Sequence, residues 1–222
     1  FLIAYHLNAV SFYLFYKLPR SESHYRLSLR KKLDFLIQQK DFFIFYSIFN
    51  CSLYLSAPYV GGYLLNIRGL NYINYMFVMG ALFAGKIFTT YVLERYKPEI
   101  NPHKLFFYGG LIAAPLPALW PLCSGPWGMA VVHFLSGMGW AGWEVGLSLV
   151  IFKNIKSEDK LEAVSLYNSV GLPVQVLGTV IGAVLLKFVY VNNYTTMFIV
   201  AGVLRFVFIL PMYSRKFGVG RS

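Results

Sequence analysis

The stretch 127–152, WGMAVVHFLSGMGWAGWEVGLSLVIF, runs directly into the basic loop 153–160, KNIKSEDK. The stretch holds a single acid, Glu144, and exceeds the ~20 predominantly apolar residues that an α-helix needs to cross a ~30 Å hydrocarbon core. Lys and Arg are enriched in loops on the cytoplasmic side of a membrane. The stretch therefore predicts a transmembrane helix that ends at the cytoplasmic surface.

Six further apolar runs of similar character surround it, and 57% of the chain is hydrophobic. The lipid interior satisfies no backbone hydrogen bonds, so such runs must be helical. The sequence predicts an all-α polytopic bundle of about seven transmembrane helices, whose other runs are 1–17, 42–66, 71–93, 105–123, 163–189 and 196–213.

The basic residues fix an orientation. Sixteen of the twenty Lys and Arg residues fall in alternate connections and the tail. By the positive-inside rule the N-terminus is outside, the C-terminus is cytoplasmic, and the protein belongs in the cell (inner) membrane. The net charge of +11 is then a topology signal, so a nucleic-acid partner is excluded. The sixteen are Lys17, Arg20, Arg26, Arg30, Lys31, Lys32, Lys40, Arg95, Lys97, Lys104, Lys153, Lys156, Lys160, Arg215, Lys216 and Arg221.

The chain divides into a first transmembrane helix (1–17), a basic linker (18–40), a six-helix bundle (41–213) and a cytoplasmic tail (214–222). Apolar residues recur at helical spacing in the linker, which indicates an amphipathic helix at the membrane surface, although an ordinary solvated linker stays open. Because the chain begins inside an apolar run and the number of spans is odd, we expect it to be part of a longer protein.

Ionisable side chains within a membrane span are costly and are functional candidates by default. Lys86 and Glu144 are predicted to lie at similar depth, and Gln175 shares that layer. We expect Lys86 and Glu144 to pair beside a solvated cavity, where they would bind substrate or respond to protonation. A purely structural ion pair, or a Lys86 that extends toward the membrane surface, is the alternative. Arg205, in the last span, is interpreted as structural.

The fifth span carries a ladder of residues on one helical face. His133, Trp140 and Glu144 give that face an imidazole, an aromatic ring and a carboxylate, with Gly137 and Ser148 at the remaining steps. This composition suits the lining of a polar path, although His133 would also suit the membrane interface. The span's glycines are interpreted as packing surfaces for neighbouring helices.

Two other spans carry polar faces. Asn50 and Tyr54 share one face of the second span, and Asn168 and Gln175 share one face of the sixth. Such groups line a pathway or bond helices together. The predicted pathway residues are Glu144, Lys86, Trp140, His133, Asn50, Tyr54, Asn168 and Gln175. No catalytic or metal-binding motif is present, so we expect no enzyme activity, no metal and no cofactor.

Three segments together resemble the major facilitator superfamily of transporters in its bacterial form: 135–144, LSGMGWAGWE; the basic loop 153–156, KNIK; and 167–171, YNSVG. The resemblance implies the C-terminal half of that fold plus the preceding helix, with the N-terminal half as a partner. It also implies secondary active transport of a small solute by alternating access, and Glu144 would couple it to H⁺. The family's loop motif after the second helix of a half has only a faint counterpart at Glu94-Arg95-Tyr96-Lys97.

A seven-helix membrane receptor is the alternative from another class. The helix count, the outer N-terminus and the Glu94-Arg95-Tyr96 sequence at the end of the third span suit it. The last span argues against it, since it offers only Leu210-Pro211-Met212-Tyr213 and no lysine for a retinal Schiff base. The transporter interpretation is therefore favoured, while the identity of the solute stays open.

Overall fold

The computed structural model describes residues 36–37, 39–96, 101–154 and 160–211. The predicted first span (1–17), nearly all of the basic linker and the tail lie outside the described residues. Within the described ranges the chain is helical and contains no strand. The all-α prediction is therefore confirmed for this part of the chain.

In the described part of the chain, eight α-helices cover the six ranges after residue 40 that were predicted to be spans. The first and third spans of the described part are interrupted, and short 3₁₀ or π-helical turns follow several helices. The helices are α1 (Lys40–Tyr54), α2 (Val60–Gly62), α3 (Tyr72–Tyr96), α4 (Pro102–Ala113), α5 (Leu116–Leu119), α6 (Gly125–Asn154), α7 (Lys160–Val184) and α8 (Tyr194–Ile209). The turns are Ala57–Tyr59, Tyr63–Ile67, Trp120–Leu122 and Leu185–Val189.

Four helical segments of the described part are long and apolar enough to cross a membrane: Lys40–Ile67, Tyr72–Arg95, Pro102–Leu122 and Ala163–Val189. The helix α8 is apolar but shorter. The longest helix, α6, is not among the four. The count of seven spans and the orientation remain predictions.

Proline explains both interruptions. Helix α1 ends at Tyr54, just before Pro58, and α4 ends at Ala113, just before Pro115. Proline lacks an N–H and sterically opposes the preceding helical turn, so the chain re-forms as 3₁₀ turns and short helices. The break in α1 leaves carbonyl groups at its C-terminal end without partners from the helix itself. These carbonyls become important at the candidate site.

Helix α6 lies between α3 on one side and α4 on the other. Glycines allow the close approach: a methyl group added at Gly137 would overlap the Leu82 carbonyl, and one added at Gly109 would overlap the Trp143 backbone. Such small residues let membrane helices pack backbone to backbone. The packing role predicted for the glycines of α6 is confirmed, since Gly139 and Gly146 meet α4 in the same way.

Two clusters of buried apolar side chains occupy the two ends of the bundle. At one end the starts of α1, α4 and α7 meet, and the Phe42 ring lies 6.1 Å from the Phe106 ring. At the other end Arg68 donates to the Cys123 carbonyl, and the Tyr63 and Tyr194 rings lie 6.1 Å apart. The three connections near Arg68, Cys123 and Tyr194 therefore lie at one end of the bundle. These are the connections predicted to be outside, and spans that alternate in direction require them to share an end.

Helices α3 and α7 form the periphery of the described bundle. Only 11% and 17% of the residues in their apolar stretches are buried, against 44% for the spans that contain α1 and α4. Their exposed side chains are mostly large and apolar, for example Ile73, Phe83 and Val180. Such surfaces suit contact with lipid or with another part of the protein.

Candidate functional site

The first candidate feature is an ion pair between α3 and α6. The Lys86 Nζ atom lies 2.7 Å from Oε1 of Glu144. The pair forms because Gly85 and Gly137 draw the two helices together, so that neighbouring long side chains meet. The structure thus contains the pair expected from the sequence. No hydrogen bond of the described residues connects Gln175, which shares the predicted layer, to either side chain.

Both residues of the pair lie well inside their helices. Lys86 and Glu144 each precede the C-terminal residue of their helix by ten positions, which corresponds to about 15 Å at 1.5 Å per residue. This is about half of a ~30 Å hydrocarbon core. The pair is nevertheless accessible, since 30% of the Lys86 side chain and 55% of the Glu144 side chain are exposed.

Two hydroxyl groups extend the pair toward the basic end of the bundle. Thr90 donates to the Lys86 carbonyl at 2.9 Å, and Ser148 donates to the Glu144 carbonyl at 2.9 Å. All four residues lie on the same exposed surface, and we refer to them as the polar strip (Lys86, Thr90, Glu144 and Ser148). A strip of this kind is costly against lipid and needs water or protein beside it.

The second candidate feature is a cavity of about 170 Å³ inside the bundle. It lies between the two apolar clusters, and side chains from both sides of the bundle surround it. Its polar side chains are those of Ser56, His133, Ser136 and Arg205, and the indoles of Trp120 and Trp140 form much of its apolar wall. The polar strip does not line this cavity, so the two features are separate.

Arg205 reaches the cavity from α8 and holds the broken end of α1. Its Nε donates to the Ser52 carbonyl at 3.3 Å, and its Nη2 donates to the Leu53 carbonyl at 2.5 Å and to the Ser56 hydroxyl at 2.7 Å. The two carbonyls belong to the last turn of α1, where the helix supplies no donor. Arg205 is only 5% exposed, and none of the described carboxylates pairs with it.

His133 also lines the cavity, from α6. It is 4% exposed, and its ring centroid is 4.4 Å from that of Trp120 in an edge-to-face arrangement. Neither Nδ1 nor Nε2 has a hydrogen-bond partner among the described residues. A buried polar group without a partner costs about 1–3 kcal/mol. The structure thus buries His133 within the bundle. Its membership of a polar path stays a prediction.

Four of the five remaining predicted pathway residues belong to neither feature. Asn50 is buried and donates to the Tyr46 carbonyl of its own helix at 2.9 Å. Tyr54 packs on Gly178 where α1 meets α7, while Asn168 is exposed on α7 and Gln175 is half-buried there. Trp140 lines the cavity. The structure thus brings together Lys86 with Glu144, and His133 with Trp140, but not all eight residues.

Arg205 is the principal candidate that the sequence interpretation assigned only to structure. Its place in the last span suggested a side chain that pairs with a loop acid or reaches the cytoplasmic surface. The sequence signal that could have indicated this role is Ala57-Pro58. The proline interrupts another span, and the carbonyls at the interrupted end need buried hydrogen-bond donors. No group of His, Cys, Asp or Glu suited to a metal ion occurs within the described ranges.

Comparison of the chain with protein-family models, with curated proteins and with solved structures found no match.

Proposed function

We propose that this protein is a secondary active transporter that moves a small solute across the membrane by alternating access, with Glu144 coupling the movement to H⁺. The observation that carries the proposal is the exposed Lys86–Glu144 pair, which we infer to lie near the middle of two membrane spans. Ionisable residues at this depth mark substrate or ion pathways in membrane proteins. The lipid bilayer, a small solute, H⁺ and the rest of a longer chain are the proposed partners.

The pair offers a simple coupling device. When Glu144 is ionised, the Lys86 ammonium 2.7 Å away neutralises it. When Glu144 takes up a proton, the attraction is lost and Lys86 is left as an uncompensated cation, which favours a different helix arrangement or an anionic partner. A proton can thus bias a two-state equilibrium through the difference in charge that each state tolerates.

The surrounding helices are suited to such rearrangement. Helices α3 and α6 meet closely at Gly85 and Gly137. The break at Pro58 and the bends after α4 divide two other spans into shorter rigid pieces. Interrupted helices beside a polar site are a recurrent feature of transporters that alternate between open states.

The test uses the full-length protein in liposomes that enclose a pH-sensitive dye. A panel of membrane-impermeant solutes (sugars, amino acids, nucleosides and dicarboxylates) is added outside under an inward proton gradient. We expect one class to acidify the interior beyond protein-free liposomes. The Glu144→Gln variant should lose this signal while it still exchanges radiolabelled solute in counterflow, and the matched neighbour Ser148→Ala should retain both activities.

Three results would count against the proposal. Unchanged acidification in Glu144→Gln would leave Glu144 structural. A wild-type protein that moves no solute of the panel would contradict transport of these classes. Saturable binding of a solute without flux would instead favour the seven-helix receptor alternative.

A further inference from the structure

We propose that the cavity between Arg205 and His133 binds a small organic anion, whose carboxylate or phosphate oxygens face the guanidinium and whose apolar body lies against Trp120 and Trp140. This concerns a site apart from the polar strip. It is a statement about binding, and it does not depend on whether the protein transports its ligand.

The first argument is charge. Arg205 is buried, permanently cationic and without a carboxylate partner in the described part of the chain. Its recorded hydrogen bonds use Nε and Nη2, whereas a guanidinium carries five N–H donors, two of them on Nη1. The C-terminal end of α1 supplies the equivalent of about half a negative charge. An anion in the cavity would supply the remaining negative charge that neutralises the guanidinium.

The second argument is the unpartnered imidazole. His133 is more than nine-tenths buried, and both ring nitrogens lack a hydrogen-bond partner among the described residues. A neutral imidazole needs one acceptor for its N–H and one donor for its other nitrogen. A ligand oxygen in the cavity can accept from the N–H, and a hydroxyl of the same ligand can serve the second nitrogen. The hydroxyl group of Ser136, on the same helix, also lines this space.

The third argument is size and wall chemistry. Away from the polar groups, the cavity is lined by apolar side chains that include Leu116, Trp120 and Phe198. Its volume of about 170 Å³ is comparable to the ~150 Å³ apolar cavity known to hold a benzene molecule in another protein. A ligand with an anionic group and an apolar body of about six heavy atoms satisfies both the walls and the volume.

The depth of the site favours a free solute over a lipid headgroup. Arg205 is eleven residues beyond the start of α8, about 16 Å along the helix axis. It bonds to Ser52 and Leu53, which are twelve and thirteen residues beyond the start of α1 at the other end of the bundle. Both distances place the guanidinium near the middle of a ~30 Å core, out of reach of lipid phosphates.

The competing explanation is that Arg205 only clamps the broken end of α1 and that water fills the cavity. That explanation accounts for the three hydrogen bonds of Arg205. It leaves the charge of Arg205 only partly compensated, and it does not explain why most of the cavity lining is apolar. Binding of an anion in preference to its neutral isostere separates the two explanations.

The experiment titrates the full-length protein in phosphatidylcholine nanodiscs, which contain no anionic headgroups. The probes are sodium benzoate and sodium butyrate, with benzamide as the neutral isostere of benzoate. Binding is followed by tryptophan fluorescence, because Trp120 and Trp140 line the cavity, and by calorimetry. We expect saturable binding of at least one anion, and benzamide should bind about tenfold more weakly or not at all, since charge-assisted hydrogen bonds are the stronger ones.

Two variants and one control locate the site. Arg205→Gln should weaken anion binding by about tenfold or more, and Ser136→Leu should abolish it by filling the cavity from α6. Lys187→Gln removes an exposed cation outside the cavity and should bind within about twofold of the wild type. Circular dichroism checks that each variant is folded, and Ser136→Leu decides the matter if Arg205→Gln does not fold.

The proposal is overturned if neither benzoate nor butyrate binds saturably to the wild type. It is also overturned if benzamide binds as tightly as benzoate, because the site would then recognise shape and not charge. Unchanged anion binding in a folded Ser136→Leu variant would place the binding elsewhere and would overturn it equally.

Discussion

The ammonium of Lys86 and the carboxylate of Glu144 lie 2.7 Å apart although 58 positions separate them in the chain. They meet because α3 and α6 run in parallel with their starts side by side, where the Phe77 and Trp127 rings are 4.7 Å apart. Each residue is ten positions from the end of its helix. Counted from the helix starts, Glu144 lies five residues, about 7.5 Å, further along than Lys86. The long lysine side chain spans this difference, and the resulting contact underlies the proposed coupling role.

A double-mutant cycle on this pair tests whether water reaches it. We expect Lys86→Met and Glu144→Gln each to destabilise the protein, and the double variant to show a coupling energy of about 1 kcal/mol. If water reaches the pair, as transport requires, salt will screen the attraction. The coupling should therefore fall by about half between 0.05 and 1 M NaCl. Reversible denaturation in mixed micelles measures it.

The matched control for that cycle is Thr90→Val with Ser148→Ala, the two neighbours in the polar strip whose hydroxyls bond only to backbone. Their coupling should be near zero at either salt concentration. A Lys86–Glu144 coupling that is independent of salt would show that the pair is sealed from water, which contradicts a solvated path.

The glycine contacts of α6 should determine stability. Because a methyl group at Gly137 would overlap the Leu82 carbonyl, we expect Gly137→Ala to destabilise the bundle by about 1–3 kcal/mol. Gly80 in α3 is the control, since nothing lies within 4 Å of an added Cβ there. Gly80→Ala should be neutral or stabilising by up to about 1 kcal/mol, because alanine is the better helix former. Equal effects of the two substitutions in a denaturation series would contradict close packing at Gly137.

The ion pair and the glycine packing could be predicted from sequence for the same physical reason. Membrane helices have a fixed rise per residue and a fixed thickness to cross, so position in a span gives depth. Depth and opposite charge suggested Lys86 and Glu144 as partners. Depth alone also included Gln175, which bonds to neither side chain among the described residues. The positions of the helices along the chain were predictable too. The expected run 71–93 corresponds to the helix Tyr72–Tyr96, and the run 163–189 corresponds to the apolar segment Ala163–Val189.

The orientation of a side chain around its helix could not be predicted in the same way. Arg205 turns inward because the break before Pro58 exposes carbonyls on another helix, and only the three-dimensional packing of α8 on α1 shows this. Asn50 was a plausible pathway residue, but its amide bonds to its own helix. Depth restricts which residues meet, whereas rotation and helix order decide which of them face one another.

The clamp on the broken helix gives a prediction of its own. Ser56 accepts one of the hydrogen bonds of Arg205 at 2.7 Å and is 1% exposed. We expect Ser56→Ala to destabilise the protein by about 1.5–3 kcal/mol, because a buried hydrogen bond to a charged group is lost. Ser169→Ala is the control, since that exposed hydroxyl bonds only to the Ser165 carbonyl, and it should change stability by less than about 0.5 kcal/mol. Indistinguishable melting curves for the two variants would show that the Arg205 clamp contributes little.

Cys123 provides a test of the predicted orientation. It lies in a loop at the end of the bundle that is predicted to be outside. Its own backbone carbonyl accepts a hydrogen bond from Arg68. A membrane-impermeant maleimide should therefore label it on intact cells, and Cys123→Ser, which retains only Cys51 within α1, should not be labelled. Burial raises the pKa of the Cys123 thiol above 9.0, although Arg68 opposes the shift. Since only the thiolate reacts readily, labelling should be slower at pH 7 than for an unstructured thiol and should accelerate as the pH rises toward 9. Labelling that requires permeabilised cells at every pH would reverse the predicted orientation.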